Sequence, residues 1–374
     1  SLHDALPILF TEQTIDKYEQ LWKPAFEKDE DCIAFWAQNL LKGRNKRKNI
    51  EAFLNAFLQI KVHESSINVS TDDKQEYAKS GALFYSYKDF IEKYYKGREF
   101  ELVEELVQYA KIYQNTFSPA VTESSLTYEP SIERINFLIF AADNTTMIPY
   151  IMYVIKNVAD EAERNKIYDY LESYLVRRLI CKKSTKNYSD LFSENLINAD
   201  VKTADALITF FNEKDPTNAL AMPTDAEVER WFMEAEHPNY RALCILYLLE
   251  SRMRNSHLLS TQLMKYSVYT LEHLMPQKWM ANWPLPEGGD ADLRMHLVKT
   301  LGNCTMITQS LNSTISNDQW SVKLEGKNNK GGLKAYANGL LTLDGVLTQD
   351  HWNEDCIIER SKKLAGIACR IWRA

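Results

Sequence analysis

Tyr269-Thr270-Leu271-Glu272-His273-Leu274-Met275-Pro276-Gln277 and Leu301-Gly302-Asn303-Cys304-Thr305-Met306-Ile307-Thr308-Gln309-Ser310-Leu311-Asn312 decide how this chain is read. The first stretch is strand-like at its start and ends on a carboxylate beside an imidazole, with Pro276 marking the end of the strand. The second opens on a Gly-Asn turn, runs strand-like over Cys304–Ile307 and reaches a second asparagine nine residues after the first. Consecutive residues on a regular strand face opposite ways. Glu272 and His273 can therefore share a site only where the backbone leaves strand geometry.

Outward from these stretches the chain reads as mainly α. Glycine and proline are scarce, 12 and 11 in 374 residues, and apolar-periodic segments dominate. Two helices are expected over residues 12–40. Others are expected over 50–63, 81–94, 99–115, 132–142, 146–158 and 160–180. On 99–115, Leu102, Leu106, Val107, Ala110 and Tyr113 share one face. Thr224 with Glu227 forms a capping-box pattern that opens a helix through Ala235. Further helices are expected over 239–253 and 353–372. The last of these carries Ile357, Leu364, Ala368 and Ile371 on one side. Strand character is confined to Tyr266–Tyr269 and Cys304–Ile307. The expectation is a multi-helical domain over 1–255, followed by an α+β domain over 256–374 where the composition shifts near Ser256.

The formal net charge is −7, which excludes a polycation, but the charge is uneven. Residues 256–374 carry 13 basic and 11 acidic residues, net +2, and the remainder is net −9. The part holding the two stretches is thus the part least repelled by a polyanion. Six cysteines are scattered without a CxxC pair, which argues against a zinc knuckle and for a reducing, cytoplasmic setting. No run of eighteen apolar residues occurs, so no membrane span is expected. The chain begins Ser-Leu-His, and residues 1–10 read as a junction or tag on an N-terminally incomplete protein.

Phosphodiester hydrolysis needs a deprotonated water, stabilised phosphoryl charge and a neutralised leaving oxygen. A single hard cation held by oxygen donors with open positions supplies the last two. His273 is the expected general base, because imidazole titrates nearest neutral pH. Glu272 is the expected metal ligand, with Asn312 offering an amide oxygen from a following helix. Asn303 is expected to brace the loop carrying His273. Asn317 and Asn303 could exchange roles with Asn312. The cation expected is Mg2+ or Mn2+.

These residues together resemble the HNH (His-Me finger) nucleases. More closely, they resemble the C-terminal nuclease domain of GmrSD-type modification-dependent restriction endonucleases. That family typically shows Glu-His-Ile-x-Pro-Gln, then Leu-Gly-Asn-Leu-Thr-Leu-Leu, then an asparagine nine residues past the first. Here Cys304 stands where leucine is usual. Trp352, Ile357, Glu359-Arg360, Leu364 and Ile371-Trp372 resemble the family's closing helix, and Glu172–Cys181 resembles its upstream helical region. The resemblance implies a ββα-metal nuclease domain that cuts foreign or modified DNA in phage defence. It also implies a ParB-like nucleotide-binding sensor outside this chain, because no phosphate-cradling glycine loop occurs here. A lone ββα unit cuts one strand, so cutting both calls for two copies or two events, and a homo-oligomer is one of these two routes. The alternative is a helical interaction or nucleic-acid-binding module that keeps the fold without activity.

Other residues weigh less. Lys323, Lys327, Lys330 and Lys334 could contact DNA phosphates, or could simply solvate a Gly/Asn/Lys loop at 326–332. Arg44-Asn45-Lys46-Arg47-Lys48 reads better as a solvated helix end than as a DNA contact. Arg177 and Arg178 sit in an apolar helix, where buried ion pairing is expected. His296 is expected as a surface or packing residue of a helix, and His257 and His351 carry no partner pattern.

Overall fold

The computed structural model describes residues 12–40, 47–254 and 261–374. The expected junction over 1–10, the Arg44–Lys46 part of the basic run, the composition shift near Ser256 and His257 lie outside the described residues.

In chain order the longer α-helices begin with α1 (Glu12–Phe26), α2 (Glu30–Ala37), α3 (Asn49–His63), α4 (Thr71–Tyr77), α5 (Leu83–Phe90) and α6 (Glu99–Thr116). They continue with α7 (Ile132–Ala141), α8 (Ile148–Asn157), α9 (Glu161–Ile180), α10 (Ala204–Asn212), α11 (Asp225–Glu234) and α12 (Asn239–Met253). The C-terminal part adds α13 (Ala291–Leu297), α14 (Gln309–Ile315), α15 (Trp320–Glu325) and α16 (Glu354–Ile371). Against these stand two small antiparallel ribbons: β1 (Tyr269–His273) with β2 (Cys304–Thr308), and β3 (Gly326–Lys327) with β4 (Lys330–Gly331). The chain is therefore mainly α with a small α+β portion.

The chain divides into two compact units, one of residues 1–119, 143–164 and 185–207, the other of 120–142, 165–184 and 208–374. The units interleave along the sequence, whereas the composition shift suggested a single junction near 255. In the first unit α1 packs on α6, and α3 and α6 pack on α8. Its aromatic core includes Trp36 stacked on Tyr113 at 5.7 Å and Trp22 stacked on Phe26 at 4.1 Å. On α6, Leu102, Leu106, Ala110 and Tyr113 are buried as expected; Val103 and Tyr109 join them, and Val107 lies half-buried.

The second unit carries both motif stretches. α12 packs against β1 and β2, and α11 packs along α16. The helices just upstream of 255 are thus part of the same core as the ribbon. The capping box forms, with Thr224 Oγ1 accepting from the Glu227 amide and the Glu227 carboxylate accepting from the Thr224 amide. On α16, Ile357, Leu364 and Ala368 are buried, with Arg360 and Ser361 beside them, while Ile371 is half-buried. The strand expected at Tyr266–Tyr269 begins only at Tyr269, because 266–268 form a 3-10 turn. The turn lets Tyr266 pack edge-on against Phe137 and Tyr247, at 5.0 and 5.2 Å.

Buried charge ties the helices of this unit together. Glu172 on α9 accepts two bonds from Arg134 on α7 (2.7 and 2.8 Å) and two from Arg252 on α12 (both 2.9 Å). The Trp372 indole donates a fifth, at 2.9 Å, from the end of α16. Arg177 forms the expected ion pair, with Asp225 at 2.6 Å, and also bonds the carbonyls of Pro223 and Trp372. Arg178 donates to the carbonyls of Ser184, Ala219 and Ala221. All six cysteines are free thiols. Among the described residues no helix is long and apolar enough to cross a membrane.

Burial pushes the Glu172 carboxyl up, but the charges and hydrogen bonds of Arg134 and Arg252 outweigh it and bring it down to about 2. A depressed carboxylate adds stability that is complete above its unfolded value and is lost as pH falls through its folded one. Melting temperature should therefore decline as pH drops from about 4.5 toward 2. Glu172→Gln, which leaves two guanidinium groups buried without their anion, should cost about 3–5 kcal/mol in urea unfolding and flatten that acid limb.

Candidate active site

β1 and β2 pair in a register that sets Glu272 opposite Thr305 and His273 opposite Cys304. Pairing stays regular through His273, the last rung. The backbone leaves the strand one residue later than the chemistry called for, where the Leu274 amide bonds the Asn303 carbonyl at 2.8 Å. The alternation of a strand puts Thr270 and Glu272 on one face. That face is reached by α14, whose Asn312 bonds Thr270, and by α15, whose Lys323 bonds Glu272.

Asn303 is wholly buried, and its side chain is saturated. Its Oδ1 accepts from the Met275 amide (2.9 Å) and the Trp352 indole (3.0 Å), and its Nδ2 donates to the carbonyls of Met275 (2.7 Å) and Val298 (2.9 Å). Four bonds exhaust what an amide offers in this setting, so Asn303 has nothing left for a substrate and cannot exchange roles with Asn312. It clamps the segment that leaves β1 behind His273. Gly302 beside it has no room for a side chain: a Cβ would stand 1.9 Å from Ser361 Oγ and 2.5 Å from the Ile357 carbonyl. This close approach lets Arg360 on α16 donate to the carbonyls of Gly302 (2.7 Å) and Cys304 (2.8 Å).

Asn312 lies half-buried on α14, which starts where Thr308 caps it by accepting from the Leu311 amide. Its Nδ2 donates to Thr270 Oγ1 and to the Leu271 carbonyl, both at 3.2 Å. The Leu271 carbonyl can only accept, so the amide nitrogen must face β1 and Oδ1 must face away. Asn317 is exposed on the loop after α14, where its carbonyl accepts from Asn282.

Glu272 is 7% exposed and His273 half-buried. Burial raises the Glu272 carboxyl against the opposing pull of Lys323. Burial, then the Lys323 charge, push the His273 imidazole down to about 4, so the ring is neutral at pH 7. Its Nε2 lies 3.0 Å from Gln277 Nε2, a contact in which the amide donates and the ring nitrogen accepts.

The four lysines proposed for phosphate contact separate in the structure. Lys323 is 0% exposed: its ammonium pairs with Glu272 and donates to the His273 carbonyl at 2.9 Å, so it offers no charge to solvent. Lys327 and Lys334 are partly exposed and pair with Asp318 and Glu325. Lys330 is exposed on β4 and has no ion pair among the described residues. The loop carrying Lys327 and Lys330 is an ordered hairpin, with Asn328 and Asn329 at φ 52° and 58°, the left-handed pair a tight hairpin turn requires. His296 on α13 sits 3.3 Å from the Met233 carbonyl, away from the ribbon residues.

Sequence reasoning missed three supports: Lys323 as the partner of Glu272, and Trp352 and Arg360 as the braces of the Gly302-Asn303 turn. Trp352 and Arg360 stood in the closing-helix pattern without a role. Lys323 had one visible signal, its place between Trp320 and Leu324 on a short apolar helix face.

A two-stranded ribbon backed by a helix thus sets the half-buried Asn312 amide against the β1 face that carries Thr270 and Glu272, while regular pairing through His273 keeps the neutral imidazole on the alternate face, so the departure from strand geometry expected between Glu272 and His273 does not occur there. Residues 222–367, which hold all of these groups, match the family model for GmrSD restriction endonucleases, C-terminal domain. The match covers 146 of the 374 residues and starts upstream of α11 and α12. No curated protein is matched by the chain.

Asn303→Ala should remove four buried bonds and strand Met275, Val298 and Trp352 groups without partners. At about 1–3 kcal/mol for each buried group left unsatisfied, destabilisation above roughly 3 kcal/mol is expected in urea unfolding. A change below about 1 kcal/mol would contradict the clamp.

Proposed function

We propose that residues 256–374, supported by α11 and α12, form an HNH-type nuclease unit that nicks or cuts foreign or modified DNA with one divalent metal ion. The observation that carries this reading is Asn312, whose amide nitrogen is engaged by Thr270 and Leu271 and whose oxygen is thereby left for a ligand, against the strand that carries Glu272, with a neutral His273 on the next rung. The restriction-endonuclease family match over the same residues supports it.

The donor set fits a hard cation. Glu272 and Asn312 offer two oxygens, the donor type that Mg2+ and Mn2+ prefer. Thr305, across the ribbon from Glu272, has a buried hydroxyl with no hydrogen-bond partner among the described residues, which suits a polar ligand on this face. Among the described residues no three His, Cys, Asp or Glu side chains converge, so a cage of the zinc type is not the arrangement here. Glu272 and Asn312 would hold the ion; when bound, it would stabilise phosphoryl charge and the leaving oxygen.

The chain's own residues do the rest. His273, unprotonated at neutral pH, takes the proton of the attacking water. Gln277, bonded to Nε2, orients the ring and yields that nitrogen to the water. Asn303 fixes the segment behind His273. Lys330 on the hairpin, and Lys327 and Lys334 once released from Asp318 and Glu325, supply phosphate contacts that position the strand without reading its sequence. The sensor that chooses modified DNA, with its nucleotide site, belongs to a ParB-like portion of the whole protein. Two copies of the unit would cut both strands.

Supercoiled plasmid incubated with Mg2+ or Mn2+ should convert to the nicked form, and chelation should stop the reaction. His273→Ala should lower the rate by about 10²–10⁴-fold. Equal conversion by the variant and the parent chain would remove His273 as the base.

A further inference from the structure

Among its described residues the second unit carries seven buried arginines: Arg134, Arg177, Arg178, Arg252, Arg254, Arg294 and Arg360. Each donates to carboxylates or to carbonyls that join segments of the fold, as Arg134 and Arg360 do above. Arginine suits that work because its rigid fork reaches several acceptors at once. Among the described residues of this unit, Lys323 is the one buried lysine. It stands against the Glu272 carboxylate and the His273 carbonyl.

A buried Lys–Glu pair is a poor device for stability alone. Desolvating both charges costs about as much as their attraction returns, and an apolar pair of similar volume often does as well or better. Lys323 also extends from α15, an element separate from the ribbon and from α14. Its two acceptors are the side chain of one β1 residue and the main chain of the next. A compact ammonium with three donors can hold both at once. The rotamer of Glu272 and the backbone that aims His273 are thereby set by one atom.

We propose that Lys323 is a positioning residue of the hydrolytic site, whose ammonium holds Glu272 as an oriented carboxylate for the cation and fixes the main chain at His273. This rests on the metal-dependent reading above. It assigns α15 to the catalytic unit and removes Lys323 from the DNA-facing surface. The clamp acts through Glu272 and His273 and touches neither water nor phosphate.

The test uses the full chain and the variants K323M, K323Q and E272Q, with Mn2+ as the probe. Free Mn2+ is followed by electron paramagnetic resonance, with thermal melting recorded beside it and nicking rates measured across Mn2+ concentrations. The parent chain should bind Mn2+, and E272Q should lose most of that binding. K323M should bind at least about tenfold more weakly, with the Mn2+ concentration for half-maximal nicking rising more than the limiting rate falls. K323Q, which keeps a donor without the charge, should fall between. Where K323M does not fold, K323Q decides: a threefold or greater loss of Mn2+ affinity supports the proposal, and an unchanged affinity overturns it. Mn2+ binding by K323M equal to or tighter than the parent chain would make Lys323 a filler or a competitor of the cation and overturn the proposal alone. No Mn2+ binding by the parent chain would overturn the metal-dependent reading and this proposal with it.

Discussion

The side chain of Asn303 is the constraint on which the site depends. One amide, wholly buried, bonds the exit from β1 at Met275, the end of α13 at Val298 and the indole of Trp352 just before α16. Three segments distant in sequence are thus held to one turn. The turn can sit there only because Gly302 lets α16 approach within contact distance, and Arg360 then ties both flanking carbonyls to that helix. His273 and Glu272 owe their fixed places to this arrangement, since the strand that carries them ends where the clamp begins. A site that must hold its groups within a fraction of an ångström is best built on elements locked in this way.

The larger frame follows the same economy. α16 is fastened at its C-terminal end by Trp372, whose indole bonds Glu172 and whose carbonyl accepts from Arg177. Glu172 in turn gathers Arg134 and Arg252 from α7 and α12. α12 packs on the ribbon. Buried guanidinium groups therefore connect the helices of the second unit to the helix that braces the Asn303 turn. Each is satisfied by several oxygens, which is what makes a buried charge tolerable.

Much of this was legible in the sequence, for reasons that can be named. The helices declared themselves through apolar periodicity, as on α6, and through the Thr224–Glu227 capping box, because both signals are local. The Glu272–His273 and Gly302–Asn303 stretches were legible because turn chemistry and polar residues at strand ends are also local. The start of β1 was misplaced by three residues, since Tyr266 gains more from packing on Phe137 and Tyr247 than from a ladder. Lys323 read as a loop cation because nothing in its neighbourhood reveals a carboxylate about fifty residues upstream. The interleaving of two compact units was hidden for the same reason: composition reports a residue's own chemistry, and contacts belong to pairs.

The central claim is that Glu272 and the outward oxygen of Asn312 define a cation position at the end of β1. Anomalous diffraction from crystals soaked in Mn2+ tests it most directly. The account predicts one strong peak at about 2.1 Å from a Glu272 carboxylate oxygen and from Asn312 Oδ1, with the remaining positions open to water or phosphate. A peak bound elsewhere in the unit, or Asn312 found with its nitrogen outward and Glu272 bound to Lys323 alone at saturating Mn2+, would contradict it.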